Sequence, residues 1–321
     1  MSKTSTELTR HALNGPTMGT RWSALFFTDP GFDVSPLNAA LQAAVEEVDG
    51  QMSSWKPDSD LMRINRAPVG EWIDAPERLI EVLRLGLEIG RASGGAFDVC
   101  MGDAVTAWGF GPEAATGERI RIALSAPRQP SWEIIDIADA RLRKRAAVTL
   151  DLNGIAKGYG VDRLAAVLEQ FGVTSFLAGI DGEMRARGLR PDGEAWTIAV
   201  EQPDHARRAA HSVLALSDAA VATSGDYRHW VDVQGTRLSH TMDPRRGAPL
   251  AASPASVTVV ARSCAEADAW ATALMVLGAD KAADLQQRFG LEVLFLLRGA
   301  SGEITARPVG PLFSSGARSA P

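Results

Sequence analysis

Residues 263–277 constrain the fold more than any other stretch of this chain. Ser263 followed three residues later by Glu266 has the capping-box pattern, so a helix begins here. From Ala265 to Leu277 the residues are almost wholly Ala, Leu, Met, Val and Trp. A helix that is apolar all round cannot rest on a surface and has to be enclosed by other elements. Two polar residues interrupt it, Asp268 and Thr272, which are four apart and share a face. A carboxylate in such a place costs several kcal/mol unless it is paired or metal-bound. A carboxylate and a hydroxyl one turn apart are hard oxygen ligands, suited to Mg²⁺ or Ca²⁺ and not to zinc. The alternative is an Asp268 paired to an arginine, with Thr272 bonded back to a helical carbonyl.

The chain has material for that enclosure. Its 321 residues are 45% hydrophobic, which points to one large domain or two merged lobes. Strands are expected at Met18–Phe27, at the ends of a hairpin over 132–152, and at 174–178, 184–188, 196–200 and 213–216. Further strands are expected at 230–233, 236–242, 256–261, 291–297 and 303–306. Helices are expected from Ser35, with Leu37, Leu41, Ala44, Val45 and Val48 on one face, at 76–92, 154–171, 265–277 and near 282–289. Strands in runs, without strict βα alternation, give an α+β fold with mixed or antiparallel sheets and flanking helices. No GxGxxG follows the first strand, as a dinucleotide fold would require. Residues 1–16 and 314–321 read as flexible tails around a domain over 17–313.

With 33 Lys+Arg against 39 Asp+Glu the net charge is −6, which argues against a nucleic-acid partner. Cys100 and Cys264 are too few for a disulfide framework and form no CxxC metal pair. No run approaches the roughly 20 apolar residues of a transmembrane helix. Met1 to Asn14 is polar, with neither an apolar signal core nor a lipid-anchor cysteine. As written, the chain is expected in the cytoplasm, and in the periplasm if a leader has been removed.

A second segment runs Asp151-Leu152-Asn153-Gly154-Ile155-Ala156-Lys157-Gly158-Tyr159-Gly160-Val161-Asp162. A strand ends in a carboxylate and a helix opens on glycines, each roughly 1 kcal/mol worse than alanine there. Glycine lets a ligand or another backbone come close. The helix N-terminus and Lys157 favour an anion, so a phosphate site is one reading, although the spacing is not a Walker A loop. Tight packing with a solvated Lys157 is the other. In Ser239-His240-Thr241-Met242-Asp243-Pro244 a histidine ends a hairpin strand beside a turn, as a cleft residue or a structural one. Ala222-Thr223-Ser224-Gly225-Asp226-Tyr227-Arg228 reads as a small-residue turn. Met18-Gly19-Thr20, Trp55 and Gly94-Gly95-Ala96-Phe97-Asp98 are weak signals singly.

Taken in order, together with Trp108-Gly109-Phe110-Gly111, these segments resemble the ApbE family of Mg²⁺-dependent FAD:protein FMN transferases, from about Thr17 to Arg298. The resemblance implies an ApbE-like fold over 17–313. It also implies cleavage of the FAD diphosphate, with FMN moved onto a threonine hydroxyl of an acceptor protein and AMP released. By that resemblance Asp268, Thr272 and the Gly154 carbonyl hold Mg²⁺, while Met18, Trp55, Ala96, Phe97, Asp98, Asp151 and Lys157 contact FAD. His240 is then the base for the incoming hydroxyl. Thr241 stands where the family usually has an aliphatic residue. Family acceptors resemble membrane redox subunits. The rival functions are a Mg²⁺-dependent FAD pyrophosphatase, with water as acceptor, and an FAD-binding protein without turnover. The implied chemistry agrees with the residues: phosphoryl transfer rests on positioning and charge neutralisation, and a threonine hydroxyl needs a base.

Overall fold

The computed structural model describes residues 8–204, 208–227, 230–233, 236–299 and 301–314. In chain order the strands are β1 (Thr9–Thr17), β2 (Thr20–Thr28), β3 (Ile73–Asp74), β4 (Ile135–Ala138), β5 (Arg141–Lys144), β6 (Phe176–Ile180), β7 (Glu183–Arg187), β8 (Trp196–Glu201), β9 (Ala210–Leu216), β10 (Ala219–Gly225), β11 (Trp230–Val233), β12 (Thr236–Ser239), β13 (Met242–Asp243), β14 (Ala248–Pro249), β15 (Ser256–Ala261), β16 (Glu292–Arg298) and β17 (Ile304–Val309). The helices are α1 (Val34–Met52), α2 (Asp60–Arg66), α3 (Glu77–Ala92), α4 (Gly102–Ala107), α5 (Gly117–Ser125), α6 (Ser131–Ile134), α7 (Ala156–Gln170), α8 (Cys264–Leu277), α9 (Ala282–Phe289) and α10 (Pro311–Ser314).

Eight strands form one sheet in the order β1-β2-β6-β7-β10-β15-β16-β17, antiparallel at every step. Both faces of its centre are covered, which is why every residue of β15 from Ser256 to Val260 is buried, with no alternation to solvent. On one face lies α8, in a core shared with Val257, Val259, Val293 and Phe295 of the sheet and with Leu79, Ile80 and Leu83 of α3. On the same side α1 and α7 pack on Trp22 and Phe26 of β2, through Leu37, Leu41 and Val45 and through Val161, Leu164 and Leu168. On the other face the β8–β9 hairpin sets Trp196, Ile198 and Leu214 against Val221, Val260, Leu294 and Leu296. A smaller lobe holds the β3-β5-β4 sheet and, beside α4 and α5, a cluster of Ala104, Trp108, Ala123 and Met242. The α+β architecture read from the pattern of elements is the one observed.

Several local expectations are corrected. Residues 9–16 are not a tail: they form most of β1, paired with β2 from Thr9↔Thr28 to Thr17↔Thr20. Met18 does not start a strand. With Gly19 it makes the two-residue turn between β1 and β2, at φ 46° and 71°. Such hairpin turns need positive φ at both positions, and methionine is a poor fit there. The partner of β4 is Arg141–Lys144, not 147–150, because the chain turns at Asp139 with φ 52°. The small-residue stretch at 222–225 belongs to β10, a central strand between β7 and β15. Its alanines are small because β10 passes directly under buried helices, and Ala220 and Ala222 are wholly buried. Of the C-terminal tail, Ser314 lies in α10; residues 1–7 and 315–321, and Gln234-Gly235, expected from sequence as the turn between the strands at 230–233 and 236–242, lie outside the described residues.

Candidate active site

The two segments singled out by sequence meet where the N-terminal turns of α7 and α8 cross. The capping box at α8 is present: Ser263 Oγ accepts from the Glu266 amide at 3.2 Å, and Glu266 Oε2 accepts from the Ser263 amide at 3.2 Å. That start places Asp268 in the second turn, only 5% exposed, and aims it at α7. The Gly158 amide donates to Asp268 Oδ2 at 3.0 Å. That amide is in the first turn of α7, where no carbonyl of the helix reaches it. Here the bond goes to α8, and among the described residues no hydrogen bond reaches the Gly154 carbonyl. One turn further along α8, Thr272 comes up against Gly154: a methyl group built on Gly154 would lie 3.0 Å from Thr272 Oγ1 and 3.2 Å from the Phe97 ring. Ser224 Oγ, at the end of β10, is 3.4 Å from Thr272 Oγ1.

A carbonyl without a hydrogen bond among the described residues, a hydroxyl and a buried carboxylate therefore lie along the crossing of the α7 segment with α8. Asp268 meets a backbone amide, not an arginine. Burial first, and then the charge of Glu183, push its carboxyl up to about 7, against the pull of Lys157 and the Gly158 amide. A divalent cation would relieve that penalty. Among the described residues no three His, Cys, Asp or Glu side chains gather around one point. A cation here has to draw on hydroxyl and carbonyl oxygens as well, which is the chemistry of Mg²⁺ with few protein ligands and not of zinc. The donor set fits Mg²⁺.

Around this centre the other candidates divide. Phe97 is buried at Gly154, and Met18 reaches Gly160, where an added methyl would lie 3.1 Å from its Cε. Ala96 is buried beside Phe97. Lys157 is tied down: its Nζ donates to Glu183 Oε1 at 2.9 Å and lies 3.6 Å from Asp181 Oδ2. Burial alone would lower its pKa, but Glu183, Asp268 and Asp181 outweigh that and raise it. Asp98 has both oxygens on the backbone, accepting from the Cys100 amide at 2.7 Å and the Ser131 amide at 3.0 Å, while burial raises its pKa. It organises the start of α6. Asp151, pushed up to about 6 by burial, accepts from the amide and side chain of Asn153 and borders a cleft of about 350 Å³ between α2, α4 and α5. That volume is at the lower end for small-molecule sites. Trp55 is 58% exposed in the loop between α1 and α2. His240 follows β12 with its ring steeply inclined to that of Phe110, the centroids 6.3 Å apart and the planes at 65°, on the α4–α5 side of the molecule. The structure thus brings Gly154, Asp268, Thr272 and Phe97 together, places Met18 against α7 at Gly160, and sets Asp98, Trp55 and His240 among other partners.

A family model described as the ApbE family matches residues 18–295 of the chain. The chain belongs to the ApbE family. The FAD:protein FMN transferase of Vibrio cholerae is 36% identical over 298 residues, covering 90% of this chain and 88% of its own. That of Klebsiella pneumoniae is 32% identical over 301 residues, covering 92% and 86%. Among solved structures, flavin transferase ApbE from Vibrio cholerae superposes with a TM-score of 0.83 at 33% identity, over 95% of this chain and 98% of that one. The apo form of Pseudomonas stutzeri flavinyl transferase ApbE gives 0.83 at 33%, over 96% and 98%.

Two residues of this ApbE site escaped sequence reasoning. Glu183, 4% exposed, is the counter-charge of Lys157, and its Oε2 has no hydrogen-bond partner among the described residues. The only sequence signal is the acidic pair of Asp181-Gly182-Glu183 at a hairpin turn, where charge is usually solvated. Asp162 stood inside the glycine-opened segment without a role. In the structure it accepts hydrogen bonds from two amides of α8.

Proposed function

We propose that the chain is a Mg²⁺-dependent FAD:protein FMN transferase, moving the FMN part of FAD onto a threonine hydroxyl of an acceptor protein with release of AMP. The observation that carries this reading is the meeting of the Gly154 segment with Asp268 and Thr272 of α8, at a carbonyl that no hydrogen bond among the described residues reaches. The similarity to enzymes named FAD:protein FMN transferase supports the substrate.

Gly154, Asp268 and Thr272 would hold Mg²⁺, which when bound supplies positive charge to the diphosphate. The glycines of the first turns of α7 let α8 and β6 pack closely against it, Gly158 at the Cys264 carbonyl and Gly160 at Ile180, while the dipole of the helix N-terminus favours anionic oxygens. Phe97 and Met18 close the apolar side and exclude water. In the reaction the threonine oxygen attacks the FMN-side phosphorus, the bond from that phosphorus to the bridging oxygen breaks, and AMP leaves with the oxygen. His240 would take the threonine proton as general base. The acceptor is a flavoprotein, of the membrane redox kind.

The test is incubation with FAD, Mg²⁺ and a candidate acceptor, read by intact mass and by flavin fluorescence that survives denaturation. Addition of one FMN per acceptor, equimolar AMP, and loss of both with EDTA are expected. AMP formed as fast without acceptor as with one would favour the pyrophosphatase.

A further inference from the structure

Asp162 is on α7 one turn beyond Gly158, on the same face. Its Oδ1 accepts from the Cys264 amide at 2.9 Å and its Oδ2 from the Ala265 amide at 2.9 Å. The other two free amides are met within the capping box: Ser263 N by Glu266 Oε2 and Glu266 N by Ser263 Oγ, each at 3.2 Å. All four free amides at the start of α8 are therefore satisfied, two of them by a side chain from another helix. Four residues on, Asp268 of α8 accepts from the Gly158 amide of α7. Each helix thus lends an aspartate to the first turn of the other. The backbones touch between the two bonds, since a methyl group on Gly158 would lie 2.3 Å from the Cys264 carbonyl oxygen. From β7 the Arg185 guanidinium binds Asp162 Oδ1 and neutralises it.

This reciprocal clasp does more than end a helix. The capping box of Ser263 and Glu266 is built within the α8 segment and has no say in where α8 sits. Asp162 fixes α8 along α7, and Asp268 and Thr272 ride on α8 toward Gly154. We propose that Asp162 is a positioning residue of the transferase reaction, setting the register of α8 on α7 in which Asp268, Thr272 and the Gly154 carbonyl can share one divalent cation. The inference rests on the cation site of the proposed function.

The experiment compares the full chain with Asp162→Asn and Ser263→Ala, using Mn²⁺ alone as the probe. Mn²⁺ affinity is read from the electron spin resonance of the free ion, and thermal midpoints are recorded alongside. Both substitutions weaken the same helix terminus, but only the first touches the contact between α7 and α8. Asp162→Asn is expected to bind Mn²⁺ at least about tenfold more weakly, as outer-sphere changes at metal sites do. Ser263→Ala should lower the midpoint and keep the affinity of the unaltered chain. Equal Mn²⁺ affinity in Asp162→Asn and the unaltered chain overturns the proposal, as does an equal loss in both variants, which would mark a merely structural cap. If Asp162→Asn does not fold, Arg185→Lys carries the test: a several-fold weaker affinity supports the clasp and an unchanged one overturns it. Absence of Mn²⁺ binding by the unaltered chain refutes the cation site itself, and the clasp's role with it.

Discussion

Replacing Gly158 by alanine sets two effects of opposite sign against each other. Gly158 lies within α7, and helix propensity alone favours alanine there by about 1 kcal/mol. The added Cβ, however, would lie 2.3 Å from the Cys264 carbonyl oxygen, 2.6 Å from its carbon and 2.8 Å from Asp268 Cβ. Two of these are backbone atoms in a fully capped turn and cannot swing aside. Ordinary contact begins near 3.4 Å, so α7 and α8 must part by about 1 Å. Such a move takes the 3.0 Å bond between the Gly158 amide and Asp268 out of hydrogen-bond range. Overpacking costs about 1–3 kcal/mol, and a lost bond to a charged group about 1.5–3 kcal/mol. Net of propensity, Gly158→Ala should destabilise by roughly 2–5 kcal/mol. Urea unfolding followed by tryptophan fluorescence measures this, with Gly50→Ala in α1 as the control. A Cβ at Gly50 meets nothing within 4 Å, so that variant should gain up to about 1 kcal/mol. A Gly158→Ala protein as stable as the unaltered chain would refute the close helix crossing.

Other outcomes follow from the same geometry. Lys157→Met leaves Glu183 buried without its counter-charge and should cost about 3–5 kcal/mol in urea unfolding, most of it recovered in Lys157→Met/Glu183→Leu. Asp268→Asn keeps an acceptor for the Gly158 amide but loses the charge: Mg²⁺-dependent AMP release should fall about 100-fold or more with no loss of thermal midpoint, and a smaller fall would contradict its role. Because the Asp268 carboxyl is raised to about 7, a proton competes with the cation, and apparent Mg²⁺ affinity should drop about tenfold per pH unit below 7. For the metal-free protein the same shift works on stability. The folded pKa lies above the unfolded value of about 3.9, so stability from this group is full below pH ~4 and is lost as pH rises through about 7. Urea midpoints at acid and neutral pH in EDTA should therefore differ more for the unaltered chain than for Asp268→Asn.

What the amino-acid order alone determined is what neighbours along the chain decide. The start of α8 follows from Ser263 and Glu266, three residues apart, and its burial from an apolar surface on every side. The inward faces of α1 and α7 follow from periodicity, and the pairing of Asp268 with Thr272 on one face is a consequence of helix geometry. The ordered set of motifs carried the family. Tertiary structure decided what depends on residues distant in sequence. Gly158 is a contact point between helices because of Cys264, and its amide, free at the start of α7, finds Asp268, 110 residues away. The alanines of β10 read as a turn because small residues carry no strand signal; the helix above them sets their size. Lys157 looked like a free cation because nothing near it in sequence reveals Glu183, which reaches it only when β7 folds beside α7. Charge and close packing act through space, and local patterns record only those partners that lie within a turn or two.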